Sequence, residues 1–580
     1  MTIGQRKPGW FWGAACGILA AAVSLGIGQL LAGLTAPQAS PVLAVGQAAI
    51  DLTPTALKTW STATFGTADK TVLQTGVFVV LAVLAAVTGA LAVRRLAYGI
   101  WGLVVLAAVG VAAAVTRPNA SPGWALPVLI GAAVAGFALT WLIRLARAAG
   151  TPPEEPAPLP PIEFGRDAPA SASFSSPPGT PGSPSFHGDT SPSGYEGLSP
   201  SDELQAPDLP GVDVPPVQPS LPVPQSAARR SFLLASGATL AIAAVGEFGG
   251  RELATRRNVG TARTAIKFPR PAVPAPPLPA GVNLPVPGIS PFITPNGQFY
   301  RVDTALFLPQ VDPSNWRLRI HGMVDKEVVV TFDDLLRRPL IEDYITLCCV
   351  SDPVSGPYIS NAKWLGASLA SLLRQAGIQR GASQLLSMSA DGFTSGTPVQ
   401  VVMDGRDSLV AVAMNGTALP VEHGFPARLV TPGLYGYVSA CKWVTDIEVT
   451  TFEKAVPYWA ERGWARQGPI KTESRIDVPA GGASVKAGRT AVAGVAWAQH
   501  KGIEAVEVRV DGGPWHTATL AAVPDLDTWR QWVWQWDATP GTHTIEARAT
   551  DKTGYTQTSV EAGEVPNGAS GYPMNSVSVQ

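Results

Sequence analysis

Tyr344-Ile345-Thr346-Leu347-Cys348-Cys349-Val350-Ser351-Asp352-Pro353-Val354-Ser355-Gly356-Pro357 is the stretch around which the chain is organised. Its first half is β-branched and aromatic, the composition of a buried strand, and it breaks at two adjacent cysteines into a loop of Pro, Ser and Gly. The pattern delivers a thiol to a strand end. Loops held by a rigid scaffold present reactive groups to ligands, and a soft thiolate suits a metal that accepts sulfur. The plainer reading is a pair of small buried residues, since free cysteine is among the most buried side chains.

The rest of the chain sets the context. At 580 residues it is too long for one core, and with 15% charged against 46% hydrophobic residues part of it is expected in lipid. A net charge of -1 leaves no nucleic-acid footprint. The four cysteines, Cys16, Cys348, Cys349 and Cys441, make a poor disulfide framework, because one sits in an apolar segment and two are adjacent.

Apolar segments at Trp10 to Leu34, Val72 to Val93, Leu96 to Val115 and Trp124 to Ile143 are each long enough to cross about 30 Å of hydrocarbon. They predict a four-span helical transmembrane bundle over residues 1–150. Arg6 and Lys7, Arg94 and Arg95, and Arg144 and Arg147 flank these spans on what the positive-inside rule makes the cytoplasmic side. The spans contain no histidine, so a bis-histidine haem is not expected within them. Residues 151–228, dominated by Pro, Ser and Gly, read as a disordered cytoplasmic linker.

Ala228-Arg229-Arg230-Ser231-Phe232-Leu233-Leu234 then opens a fifth span over 229–250. The heptad resembles a twin-arginine export signal, with the usual serine displaced to Ser226. Either reading puts everything after Gly250 outside the cytoplasm of a bacterial cell. Residues 251–289 form a proline-rich extracytoplasmic tether. Residues 290–455 mix strands, among them Ser383 to Ser389 and Val399 to Met403, with helices at Phe332 to Leu336 and Ala367 to Ala376, and so predict an α+β domain. Residues 470–575 are all-strand, with a turn at Asp511-Gly512-Gly513 and a tryptophan stripe at Trp529, Trp532, Trp534 and Trp536.

Downstream of the cysteines come Asn361-Ala362-Lys363-Trp364-Leu365-Gly366, Glu422-His423-Gly424-Phe425-Pro426-Ala427-Arg428-Leu429-Val430 and Cys441-Lys442-Trp443. With Thr346-Leu347-Cys348-Cys349-Val350-Ser351, in this order, they resemble the sulfite-oxidase-type molybdopterin oxidoreductases over about residues 290 to 575. The resemblance implies that Cys349, which closes the Thr-Leu-x-Cys pattern, gives its thiolate to molybdenum and that Cys348 is a neighbour. It implies that His423 and Arg428 of His-Gly-Phe-Pro-x-Arg, with Lys442 of Lys-Trp, hold the pterin phosphate. It also matches Gln298, Tyr300 and Arg301 to an upstream cofactor contact. Where the family's sulfite oxidases carry Arg-Asn-His, this chain has Arg301-Val302-Asp303, so only the arginine is shared. For the all-strand region the resemblance implies an immunoglobulin-like dimerisation domain, and hence a possible homodimer.

Sulfite oxidases follow the metal cysteine with anion-binding arginines. Here Asp352 stands there with Ser351 and Ser355 nearby, and no arginine appears until Arg374. An oxyanion beside a carboxylate is disfavoured in a low-dielectric pocket, which favours a neutral or zwitterionic sulfoxide or N-oxide over sulfite. Tyr435 and Tyr437 are candidates to line the pocket instead. The expected activity is two-electron oxygen-atom transfer by a molybdenum–molybdopterin enzyme. The chain has no Cys-x-x-Cys-His haem motif and no iron–sulfur cysteine cluster, so a separate redox partner is expected: a subunit, a quinone or a soluble carrier. The alternatives are a catalytically decayed cell-surface binding module with the same fold, or a structural membrane protein.

Overall fold

The computed structural model describes residues 9–54, 57, 64, 69–117, 120–149, 225–256 and 259–580; the linker expected over 151–228 lies, up to residue 224, outside the described residues. Among the described residues the first long helices are α1 (Trp10–Leu34), α2 (Pro41–Leu52), α3 (Asp69–Arg94), α4 (Leu96–Val115), α5 (Leu126–Ala149) and α6 (Gln225–Arg256). All but α2 are long and apolar enough to cross a membrane. Helix α1 is central and packs against α3, α5 and α6. It does so through small residues: Gly17 meets Ala85 and Gly89, Gly26 meets Ala243 and Gly246, and Gly33 meets Gly250. A methyl group at any of these would run into the partner's backbone. Large apolar side chains such as Val83, Trp101, Phe137, Leu233 and Phe248 point outward. Small residues inside and large apolar ones outside is the pattern of helices packed in an apolar solvent. The fifth long helix, read from the sequence as a separate unit, is thus a full member of the bundle.

The proline-rich segment is laid along the next domain. Ala272 N–H donates to Leu340 O at 2.8 Å, Asn361 Nδ2 donates to Phe292 O at 2.8 Å, and Phe292 is fully buried. That domain holds β1 (Arg317–Gly322), β2 (Val328–Thr331), β3 (Leu340–Cys348), β4 (Ile359–Ser368), β5 (Gln384–Ser389), β6 (Thr394–Pro398), β7 (Leu409–Met414), β8 (Thr417–Ala418), β9 (Arg428–Val430) and β10 (Val444–Thr450). One sheet runs β2-β1-β10-β5-β6 and the other β3-β4-β7-β8, with β9 also paired to β7. Helix Phe332–Leu336 forms because Thr331 and Asp334 close a capping box. Helix Leu369–Ala376 is capped by Ser368 and stopped at Gly377, whose φ is 73°. Sequence reading placed a strand at Val399 to Met403. The structure has a helix there: β6 ends at Pro398, and Val399 and Val402, three apart, are buried together.

The last domain contains β11 (Glu473–Val478), β12 (Ser484–Val485), β13 (Gly488–Trp497), β14 (Ile503–Val510), β15 (His516–Thr517), β16 (Thr519–Leu520), β17 (Arg530–Ala538), β18 (Gly541–Asp551) and β19 (Met574–Val579). Its sheets run β11-β13-β17-β16 and β12-β19-β18-β14-β15, around a core that includes Val492, Val508, Trp532, Trp536 and Ile545. Asp511 and Gly512 take φ of 51° and 68° in the turn joining β14 to the two-residue β15.

The tryptophan stripe needs one correction. Trp532, Trp534 and Trp536 share a face of β17 by parity, but Trp529 precedes the strand and packs instead with Phe292, Tyr344 and Cys348 between the domains. Strand β3 is at the edge of its sheet, and the C-terminal domain covers that edge. Thr346 N–H donates to Asp527 O at 3.0 Å, and Trp529 N–H donates to Thr346 Oγ1 at 2.8 Å. An edge strand closed in this way cannot fray, so its end is held in place.

Candidate functional site

At the end of β3 the two cysteines diverge. Cys348 is fully buried in the apolar cluster between the domains. Cys349 lies outside that cluster, retains 9% exposure, and has Sγ 3.0 Å from Ser351 Oγ. Burial pushes the Cys349 thiol up, while the Ser351 hydrogen bonds and the charge of Lys442 oppose that shift. A metal taking the place of the thiol proton would relieve the same penalty.

The loop after Cys349 is pinned on itself. Cys349 N–H donates to Tyr358 O at 2.9 Å, and Asp352 Oδ1 accepts Tyr358 N–H at 2.8 Å. Arg475 reaches over from β11 to donate to Gly356 O at 3.0 Å. Asp352 is therefore an internal cap of its loop and not a carboxylate turned toward a ligand, as the sequence suggested. Its burial raises its pKa to about 7. Ser355 sits at φ 69° in the same loop, and Arg374 is exposed on helix Leu369–Ala376.

A second set of groups converges from the motif around His423. Gly424, at φ 109°, reverses the chain where a Cβ would stand 3.0 Å from Arg428 Cβ and 3.2 Å from Lys442 Cα, so only glycine lets these two approach. His423 Nε2 donates to Asn296 O at 3.1 Å. Burial, then the neighbouring Arg428 and Lys442, lower its pKa to about 3, so it is neutral at physiological pH. Lys442 Nζ pairs with Asp303 Oδ2 at 2.8 Å and donates to Glu422 O at 3.2 Å; burial lowers its pKa to about 8. Arg301 shares the same Asp303 at 2.8 Å.

Arg428 is the exception among these cations. Only 5% exposed, it lies 5.1 Å over the Trp364 ring and donates to His423 O at 3.2 Å and Ala440 O at 3.3 Å. No carboxylate pairs with it among the described residues. A buried guanidinium held only by carbonyls is costly unless an anion completes it.

Tyr300 stacks on Phe299 at 5.4 Å. Burial, followed by Cys349 and Cys348, raises its pKa, while Arg428 lowers it. A Cβ on Gly436 would lie 3.4 Å from the Tyr300 hydroxyl and 3.7 Å from Cys348 O, so Gly436 is bare where the tyrosine meets the thiol strand. Sequence reading missed Gly436, and it also missed that Asp303, noted only as a departure from the family pattern, is the carboxylate joining Arg301 to Lys442. A single acid among four basic side chains was the available signal.

Three sequence candidates fall elsewhere. Gln298 ends the turn Asn296–Gln298 with an exposed side chain, and it is Asn296 that meets His423. The Tyr435 ring is packed between the domains beside Gly568, near its hydroxyl. Tyr437 donates to Ala465 O at 2.7 Å and packs on Trp464. Both rings, expected at the pocket, pack instead into the seam between the domains.

Among the described residues no group of three His, Cys, Asp or Glu could hold a metal ion. A metal at Cys349 thus needs ligands from a cofactor, and the carboxylate-free Arg428 supplies a place for that cofactor's anionic group. The residues fit a sulfur-bearing pterin phosphate that brings molybdenum with it.

The comparisons with known proteins agree. The family described as "Oxidoreductase molybdopterin binding domain" matches residues 305–459. Sulfite oxidase of Gallus gallus is 29% identical over 293 residues, 43% of this chain and 63% of that protein. The mitochondrial sulfite oxidase of Homo sapiens is 29% identical over 287 residues, 42% of this chain and 52% of that protein. An uncharacterized oxidoreductase, YuiH, of Bacillus subtilis (strain 168) is 31% identical over 157 residues, 27% of this chain and 76% of its own length. The solved sulfane dehydrogenase SoxCD from Paracoccus pantotrophus shares 27% identity with a TM-score of 0.42, over 47% of this chain and 76% of that one. The chain spans between about half and 63% of the length of these sulfite oxidases. With Cys349 at a pinned strand end and a cationic cradle beside it, the chain belongs to the sulfite-oxidase-type molybdopterin oxidoreductases.

Proposed function

We propose that the protein is a membrane-anchored molybdenum-cofactor oxidoreductase that transfers an oxygen atom to or from a small neutral or zwitterionic sulfoxide or N-oxide. The observation that carries the reading is the pairing of a thiol at a pinned strand end, Cys349, with a buried guanidinium, Arg428, that no carboxylate pairs with among the described residues. The bound cofactor supplies the two-electron oxo chemistry. The chain's own work is to hold and shield it. Cys349 gives the sulfur ligand, Arg428, Lys442 and Arg301 neutralise the anionic group, neutral His423 spaces them, and Tyr300 closes the site over Cys349.

The choice of substrate rests on charge. Beyond Ser351 the loop after Cys349 carries no cation of its own, and Arg475, the arginine nearest that loop, is committed to Gly356 O, Ser290 Oγ and Asp477. Nothing there supplies a bidentate clamp for a dianion. The test is elemental analysis of the purified chain, followed by dye-linked assays on sulfoxides, N-oxides and sulfite. Stoichiometric molybdenum, with the highest kcat/KM on a neutral oxo compound, is expected. Molybdenum with sulfite preferred would overturn the substrate, and no molybdenum at all would favour the decayed binding module. Electrons are proposed to pass to or from a separate carrier, so turnover is expected only with added donor or acceptor.

The reading also places the catalytic domain outside the cytoplasm. Arg147 donates to Ala92 O and Val93 O, and Phe232 packs on Trp12 at 5.5 Å, so the arginine-flanked ends of α1, α3, α5 and α6 gather at one end of the bundle. Helix α2, whose Asp51 also pairs with Arg117, meets the catalytic domain at the other. The positive-inside rule makes the first end cytoplasmic. Arg229 and Arg230 are exposed near the start of α6, where a receptor could read them. Replacing both with Lys is expected to leave the domain inside, protected from external protease, because such a receptor distinguishes guanidinium from ammonium. Unchanged external cleavage would rule out twin-arginine export.

A further inference from the structure

Helix α2 is too short to cross a bilayer, yet three of its residues face the catalytic domain. Asp51, in its last turn, accepts two donors from distant parts of the chain. Oδ2 pairs with Arg117 Nη1 at 2.7 Å, and Oδ1 accepts the Tyr458 hydroxyl at 3.2 Å. One turn earlier, on the same face, Gln47 Nε2 donates to Thr304 O at 3.2 Å. Beside it Gly46 is bare where a Cβ would stand 3.0 Å from Leu306 Cδ1. Tyr458 is fixed in turn by Arg462, whose guanidinium lies 3.6 Å from the centre of its ring. A proline-rich tether would hold the domain near the bundle without any of these contacts.

The contact reaches a particular loop. Thr304 follows Asp303, the one carboxylate that holds both Arg301 and Lys442. Movement of that loop would release two cations of the cradle together, since Asp303 is what sets their spacing. We infer that the outer end of the bundle is a working part of the cofactor site: α2, through Gln47 and Asp51, grips the catalytic domain and braces the 301–308 loop on which the cradle depends. Gln47 is a positioning residue acting through Thr304 and Asp303, and Asp51, through Tyr458 and Arg117, holds α2 in the place from which Gln47 acts. The inference rests on the reading of Arg301 and Lys442 as cofactor donors, but the contact itself does not.

The experiment uses the full chain in liposomes. Gln47→Cys with Thr304→Cys is expected to form an oxidative cross-link in high yield. Adding Asp51→Ala to this pair is expected to lower that yield. In the otherwise native chain, Asp51→Ala is expected to release bound pterin about five- to tenfold faster, with Asp51→Glu restoring most of the retention. Fast cross-linking that Asp51→Ala does not slow, or no cross-linking at all, overturns the grip. Unchanged pterin release in Asp51→Ala overturns the bracing. If the native chain carries no pterin, the cofactor reading has failed, and the cross-link still decides whether the grip exists.

Discussion

Replacing Cys349 with alanine is expected to leave the chain folded and to remove turnover by roughly three orders of magnitude or more, since loss of even an outer-shell partner of a metal costs about 10–100-fold. The neighbouring Cys348→Ala is expected to keep its molybdenum and its activity and to lose about 1–2 kcal/mol of stability from packing. The contrast follows from geometry. Cys348 is fully buried among Tyr344, Val350 and Tyr435, whereas Cys349 points to Ser351 and retains a little exposure. Cys348 is the last residue of β3 and packs into the seam, while Cys349 opens the pinned loop that follows. Metal content and kcat of the two variants, with thermal unfolding as the control, settle the assignment. Activity retained by Cys349→Ala and lost by Cys348→Ala would reverse it.

The periodic parts of the chain were legible before the structure was known. The long apolar segments, the short helix at Phe332 to Leu336 and the turn at Asp511 follow from hydrophobic spacing and turn chemistry, which act locally. Local pattern failed where two signals overlap. Val399 to Met403 is β-branched like a strand, yet Pro398 and the three-residue spacing of Val399 and Val402 make it a helix. Trp529 looked like part of a stripe, but its parity sends it into the seam.

The site was legible in its motifs and not in its wiring. Cys349, His423, Arg428 and Lys442 stand in recognisable order, and the structure sets the Tyr300 hydroxyl and the Cys348 carbonyl on either side of Gly436. That Asp303 ties Arg301 to Lys442, that Asp352 caps its own loop, and that Gly436 rather than Tyr435 or Tyr437 faces Tyr300 are long-range facts. Residues 303 and 442 are far apart in sequence, and no local spacing records their meeting. The same holds for the contact between α2 and Tyr458.

Arg428 separates a structural cation from a ligand-binding one, because its burial makes the two roles predict opposite results. Its guanidinium is shielded from water, burial lowers its pKa to about 10, and its hydrogen bonds at 3.2 and 3.3 Å run to carbonyls. Replacing a buried charge with an apolar side chain of similar volume is often neutral or stabilising when no ion partner is left behind. Arg428→Met is therefore expected to unfold at the same temperature as the cofactor-free parent, or higher. With cofactor the sign reverses. Hydrogen bonds to a charged group are worth about 1.5–3 kcal/mol, so the variant is expected to bind the pterin about 10–150-fold more weakly. Arg428→Lys, which keeps the charge and loses the fork and the stacking on Trp364, is expected to fall between. Thermal unfolding of the cofactor-free proteins and pterin content after dialysis measure the two halves separately. A cofactor-free Arg428→Met protein destabilised by several kcal/mol that still retains its pterin would show that Arg428 holds the fold and not the cofactor.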